Sequence, residues 1–119
     1  MRRFVTAALS GLITTSPALA QRYDCTLDHL CIASECSDPA LEVPLTIDGD
    51  TALLGPPNDA LALRGLPLDT TARRAFVAED GNDTFFATLG EKLEFVMTSH
   101  LMNSAFRYAV TTGQCQEAR

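Results

Sequence analysis

The chain reads as an all-β protein: a small antiparallel β-sandwich or barrel of meander topology, disulfide-stapled, after an N-terminal signal peptide. Three observations predict this. Apolar and polar residues alternate with a period of two over several short stretches, as in half-buried strands. Clusters of Asp, Gly, Asn and Pro separate these stretches at short intervals, too short for the crossovers that parallel strands need. Four cysteines follow a leader of the export type. Outside that leader no stretch carries convincing helical periodicity, and no internal repeat or low-complexity tract stands out.

The leader is MRRFVTAALSGLITTSPALA. Arg2 and Arg3 give a positive start, Phe4 to Ile13 form a short apolar run, and Ala18-Leu19-Ala20 supplies the small-x-small pattern that signal peptidases cut. The run is well below the roughly twenty apolar residues a spanning helix needs. Cleavage is expected after Ala20, which directs the chain to the periplasm or the exterior without stable membrane insertion. Residues 21–40 then form a cysteine-rich N-terminal segment and 41–119 the antiparallel body, the two making one domain. The leader carries two of the nine basic residues and none of the fifteen acids, so the formal charge of −6 falls to about −8 in the remaining 99 residues. Such a charge repels a phosphate backbone, and nucleic acid is not an expected partner.

Cys25, Cys31 and Cys36 crowd one end, and Cys115 stands alone at the other. An oxidising compartment turns such thiols into cross-links. Four cysteines allow three pairings; the expected one is Cys31 with Cys36, closing a local loop, and Cys25 with Cys115, tying the chain ends together. The gap of five exceeds the usual zinc spacing, the gap of four is at its upper end with no paired second motif, and neither is a C-x-x-C redox pair.

The strands follow in order. Leu41, Val43, Leu45 and Ile47 alternate with Glu42, Pro44, Thr46 and Asp48. Asp48-Gly49-Asp50 is a turn, Thr51 to Leu54 a short return strand, and Gly55-Pro56-Pro57-Asn58-Asp59 a breaker. Residues 61–72 read as strand pieces and loop, because Gly65 and Pro67 interrupt the apolar positions. Arg73 to Glu79 and Thr84 to Leu89 pair about Asp80-Gly81-Asn82-Asp83, with Phe85, Ala87 and Leu89 on one face. Lys92 to Ser99 alternates, with Leu93, Phe95 and Met97 together. His100 to Asn103 connects to a last strand, Ser104 to Thr112, whose Phe106, Tyr108 and Val110 share a face; Gly113-Gln114-Cys115 ends it.

Sites of chemistry are sparse. Asp24, Asp28, His29 and Glu35 lie within the thiol-rich segment, and a histidine among carboxylates can bind a divalent metal. Solvated loop residues explain them better, because no second histidine is near in sequence, and no metal or other cofactor is expected. The acidic turn at Glu79 to Asp83 lacks the EF-hand ligand pattern. Ser99 and His100 are adjacent, but neighbours on a strand point to opposite faces. No nucleophile elbow and no phosphate loop occurs. Arg73 and Arg74 read as two strand positions, one exposed and one lining an edge.

Asn103-Ser104-Ala105-Phe106-Arg107-Tyr108 resembles, over about six residues, the serine-containing loop of the periplasmic C-type lysozyme inhibitors, which are small disulfide-bonded β-barrels. The glycine of that loop is absent, and the stretch lies near the C-terminus rather than in mid-chain. The resemblance implies Ser104 and Tyr108 as partner contacts. Set against it, Phe106 and Tyr108 fit core positions of the last strand, and this is the expectation adopted.

Together these features favour a secreted or periplasmic, non-catalytic binding module for a basic protein partner, for example an inhibitor of a basic envelope hydrolase. The alternatives are an envelope-associated structural component, or a small metal-dependent hydrolase using Asp24, Asp28 and His29. Export can be tested directly: the intact non-reduced mass of the exported protein should correspond to a chain beginning at Gln21 and lacking four thiol hydrogens. A chain retaining its leader after export would overturn the cleavage expectation.

Overall fold

A computed structural model describes residues 20–67, 74–102 and 107–118. The leader expected over residues 1–20 therefore lies, but for Ala20, outside the described residues. Nine strands are described: β1 (Gln21–Ile32), β2 (Glu35–Ser37), β3 (Leu41–Asp48), β4 (Thr51–Leu54), β5 (Leu61–Leu66), β6 (Arg74–Asp80), β7 (Asp83–Leu89), β8 (Glu94–Leu101) and β9 (Arg107–Glu117). All but β2 form a closed eight-stranded antiparallel barrel. Of sandwich and barrel, the chain adopts the barrel.

From β3 to β9 each strand pairs with its neighbour in sequence, and β9 returns to β1. Closure leaves the eight staves no free edge, which removes the template for edge-to-edge association. The long β1 spans two partners on its other side. Its first half pairs with β3, Gln21 opposite Ile47 through Leu27 opposite Leu41, and its far end folds back on β2, with Leu30 opposite Ser37.

Eight-stranded barrels are just wide enough for side chains to fill. Phe95, Leu45, Leu89 and Cys25 are almost wholly enclosed, with Phe76, Leu63 and Tyr23 beside them. Ala52, Ala78 and Ala87 leave room for these larger groups. The inward faces of β3, β7 and β8 are those the alternation predicts, down to Phe85, Ala87 and Leu89 on one side of β7. Gly49 and Gly81 take positive φ (62° and 65°) as the first residues of two-residue hairpin loops, at the turns the sequence signals.

Both disulfides join as expected. Cys25–Cys115 and Cys31–Cys36 each link residues directly opposite on antiparallel strands, with Cα atoms 3.9 and 4.0 Å apart. The first closes the seam between β1 and β9. The second closes the β1–β2 hairpin, whose tip holds Ala33 at φ 54°; its N–H donates to the Tyr108 carbonyl at 2.8 Å.

The structure corrects the sequence expectations at five places. Residues 21–32 are a full strand rather than a merely cross-linked segment. Residues 61–66 form one strand, because Gly65 lets the backbone of Asp50 approach closely: a Cβ there would stand 3.1 Å from the Asp50 carbonyl oxygen. Strand β8 begins at Glu94 rather than Lys92, since Leu93 takes a left-handed turn conformation (φ 63°). Strand β9 begins, among the described residues, at Arg107 and runs on to Glu117, held by β1 through Cys115 opposite Cys25.

The fifth correction concerns its faces. Cys115 must point inward to meet Cys25, and a period of two then carries Gly113, Thr111 and Ala109 inside and Tyr108 outside. Tyr108 is accordingly 48% exposed and not a core residue; Phe106 lies outside the described residues. Gly113 also sits at a bulge where Asp28 is the extra residue of β1. A Cβ on Gly113 would overlap the Thr26 carbonyl oxygen, so no other residue fits this seam.

The two cross-links should differ in weight. Loop-closure entropy assigns about 4.5 kcal/mol to a 90-residue separation and about 2 kcal/mol to one of five. In denaturant unfolding, Cys25→Ala/Cys115→Ala should lose at least about twice the stability that Cys31→Ala/Cys36→Ala loses. Equal losses would mean the seam is held by its strand pairing alone.

Candidate functional site

The meander sorts the charged residues between the two ends of the barrel. One end carries the β1–β2 hairpin, the start of β3, the β4–β5 loop, the β6–β7 turn and the start of β9. Seven described carboxylates belong to this hairpin end: Glu35, Asp38, Glu42, Asp59, Glu79, Asp80 and Asp83. Arg107 is the only described cation there. Arg22, Arg64, Arg74 and Lys92 all lie toward the opposite end, where they offset Asp48, Asp50, Glu91, Glu94 and Glu117. The charge is therefore polar along the barrel axis, with the excess of negative charge at the hairpin end.

Local geometry concentrates that charge. Asp59, Glu79 and Asp80, with Ala60, Leu61 and Ala62, line an open depression where the β4–β5 loop meets the end of β6. Asp83 accepts a hydrogen bond from the Met102 N–H at 2.9 Å, fixing the β8 exit against the turn. Tyr108 projects outward at the same end, opposite His100 across the β8–β9 pair. Of the two contacts implied by the lysozyme-inhibitor resemblance, Tyr108 is thus available to a partner, and Ser104 lies outside the described residues.

The residues considered for metal binding do not converge. Asp24 and His29 are five positions apart on the extended β1, a run of about 16 Å. Asp28 sits at the bulge, and Glu35 is opposite Ile32 on the hairpin. His29 instead meets Asp38, Nδ1 to Oδ1 at 2.9 Å, while its Nε2 lies 3.3 Å from the Cys31 Sγ. Cys31, Cys36 and His29 present their ligand atoms within 4.8 Å of one another, but both sulfurs are spent in the disulfide and neither is a thiolate.

Asp38 is a site residue that the sequence reading missed. The signal was present: the Cys31–Cys36 pair sets the hairpin register, and stepping outward by two on each side brings His29 and Asp38 opposite each other. Ser99 and His100 behave as strand neighbours should, Ser99 buried in the wall and His100 outside, so they form no dyad.

The opposite end is closed by an arginine. Arg74 is in register with buried Leu89 and points into the barrel mouth, reaching across to β1, the stave diametrically opposite β6. Its guanidinium donates to Gln21 Oε1 at 2.5 Å and to the Tyr23 hydroxyl at 3.0 Å, and stands 5.8 Å from the Tyr23 ring centre. Neither role expected for the arginine pair, exposed or edge-lining, describes it; Arg73 lies outside the described residues. Both acceptors are neutral, so this contact braces the barrel rather than neutralising a carboxylate.

Comparison of the chain with protein-family models, curated proteins and solved structures yields no match. Its chemistry has to be read from its own residues. Replacing Arg74 with Met keeps the apolar stem but deprives Tyr23 and Gln21 of their donor. Stability to urea should fall by about 1 kcal/mol, the usual range for a partly exposed charge-assisted bond. An unchanged unfolding midpoint would remove Arg74 as a brace.

Proposed function

We propose that the protein is an exported binding module, periplasmic or secreted, that docks a cationic protein partner on the hairpin end of the barrel. The observation that carries this reading is the axial segregation of charge: seven described carboxylates against one arginine at that end. Charge complementarity raises encounter rates and selects among partners, and a closed barrel offers a rigid base for it. The depression lined by Asp59, Glu79 and Asp80 suits a lysine or arginine side chain, whose stem would lie beside the exposed Ala62.

Tyr108 adds an aromatic of the kind that anchors interfaces, beside the acidic rim rather than within it. Its position also fits the partner contact implied by the resemblance to the C-type lysozyme inhibitors, so a basic envelope hydrolase is the class of partner favoured. Two disulfides suit an oxidising compartment, in keeping with export.

A basic C-type lysozyme serves as the probe. It should bind at low salt and dissociate as salt is raised. Reversing the depression with Glu79→Lys/Asp80→Lys should weaken binding by about tenfold or more, whereas Glu91→Lys at the opposite end should change it by less than about twofold. Salt-insensitive binding, no binding at low salt, or equal effects at the two ends would reject this docking surface.

A further inference from the structure

The two disulfides share one backbone setting and differ in everything around it. Cys25 and Cys115 are 1% and 3% exposed, sealed in the barrel seam. Cys31 is half-buried, Cys36 is exposed, and His29 lies against the Cys31 sulfur. A disulfide sulfur carries no hydrogen and a carboxylate only accepts, so His29 faces an acceptor at each ring nitrogen. Only the imidazolium satisfies both contacts at once, with Nδ1–H donating to Asp38 and Nε2–H aimed at Cys31 Sγ. Both side chains are open to solvent, 49% and 80% exposed.

We propose that Cys31–Cys36 is a thiol–disulfide exchange centre for a dithiol, in which Cys36 is attacked and Cys31 leaves. An external thiolate approaches the exposed Cys36 Sγ. The new sulfur–sulfur bond forms there, the Cys31–Cys36 bond breaks, and its electron pair goes to Cys31. The resulting thiolate is paired with the imidazolium and takes its Nε2 proton. A more stable leaving thiolate leaves faster, and a neighbouring imidazolium supplies that stability. The second thiol of the dithiol, as thiolate, then attacks the mixed disulfide and releases Cys36. Cys36, leaving as a thiolate, and His29 take back from solvent the two protons that the dithiol gave up; in sum the dithiol loses two electrons and two protons, and Cys31 and Cys36 gain them. Asp38 acts as a positioning residue, holding the ring with Nε2 toward the sulfur.

The barrel is built to survive this step. The seam disulfide is a separate, buried bond; β2 lies outside the ring of eight staves, and the β1 half of the hairpin stays paired with β9, Cys31 opposite Val110. Opening Cys31–Cys36 frees only β2 and the Ala33 tip, which sits in a left-handed conformation unfavourable to a residue with a Cβ.

The test treats the folded, oxidised protein with glutathione, a monothiol, under native conditions, followed by alkylation and mass mapping. Cys31–Cys36 should open while Cys25–Cys115 stays intact, with glutathione on Cys36 and the alkyl group on Cys31. In His29→Ala, a change at an exposed position that leaves the fold in place, opening should slow by about tenfold and glutathione should distribute over both sulfurs. Asp38→Asn should shift both readouts in the same direction. Exposure alone would open the same bond but would not depend on His29, so a wild-type rate and adduct position in His29→Ala overturns the proposal. Adduct mainly on Cys31, or opening of both disulfides together, overturns it as well.

Discussion

The structure depends on one seam. A meander of antiparallel strands becomes a barrel only when its last stave returns to its first, and here that closure is made covalent by Cys25–Cys115. The bond does more than hold two ends. It specifies the face of β9 that looks inward, and with a period of two that decides the orientation of every residue back to Arg107. It also requires close backbone approach at the bulge, which only Gly113 permits. The loop-closure contribution of about 4.5 kcal/mol is comparable to the whole net stability of many small domains.

Closure has a second consequence: it gives the molecule two unlike ends. The opposite mouth is bridged by Arg74 reaching to Tyr23 and Gln21, a cation spent on neutral acceptors inside the body. Among the described residues the hairpin end has no comparable concentration of cations, and carboxylates from the β1–β2 hairpin, the start of β3, the β4–β5 loop and the β6–β7 turn gather there. The same end carries the exposed disulfide with its histidine and aspartate. One disulfide is thus architectural and out of reach of solvent, while the other is peripheral and chemically attended. The cross-strand geometry is shared; burial and the His29–Asp38 pair make the difference.

Much of this was legible before any coordinates. Strands β3, β4, β6 and β7 and the turns at Gly49 and Gly81 follow from alternation and turn chemistry, and both disulfides match the pairing expected among the three that four cysteines allow. The failures share a cause. In β1, Tyr23, Cys25 and Leu27 do alternate with Asp24, Thr26 and Asp28, but cysteine was counted as a cross-link rather than as an apolar inward residue. In β9, Tyr108 and Val110 imitate a core face, while the true inward set of Ala109, Thr111, Gly113 and Cys115 is small or polar. A local hydrophobicity pattern cannot tell which of two faces is inside when the inner face holds the smaller residues.

The amino-acid sequence by itself determined that this chain is β and that it turns where it does, because period and turn propensity are local properties. Only the tertiary structure decided that the sheet closes instead of splitting into two layers, that Tyr108 points to solvent, that Arg74 crosses the mouth, and that Asp38 stands at His29. Each of these depends on contacts between residues remote in the chain or on the register of strands, which are set when the staves assemble and have no signature in any short window of sequence.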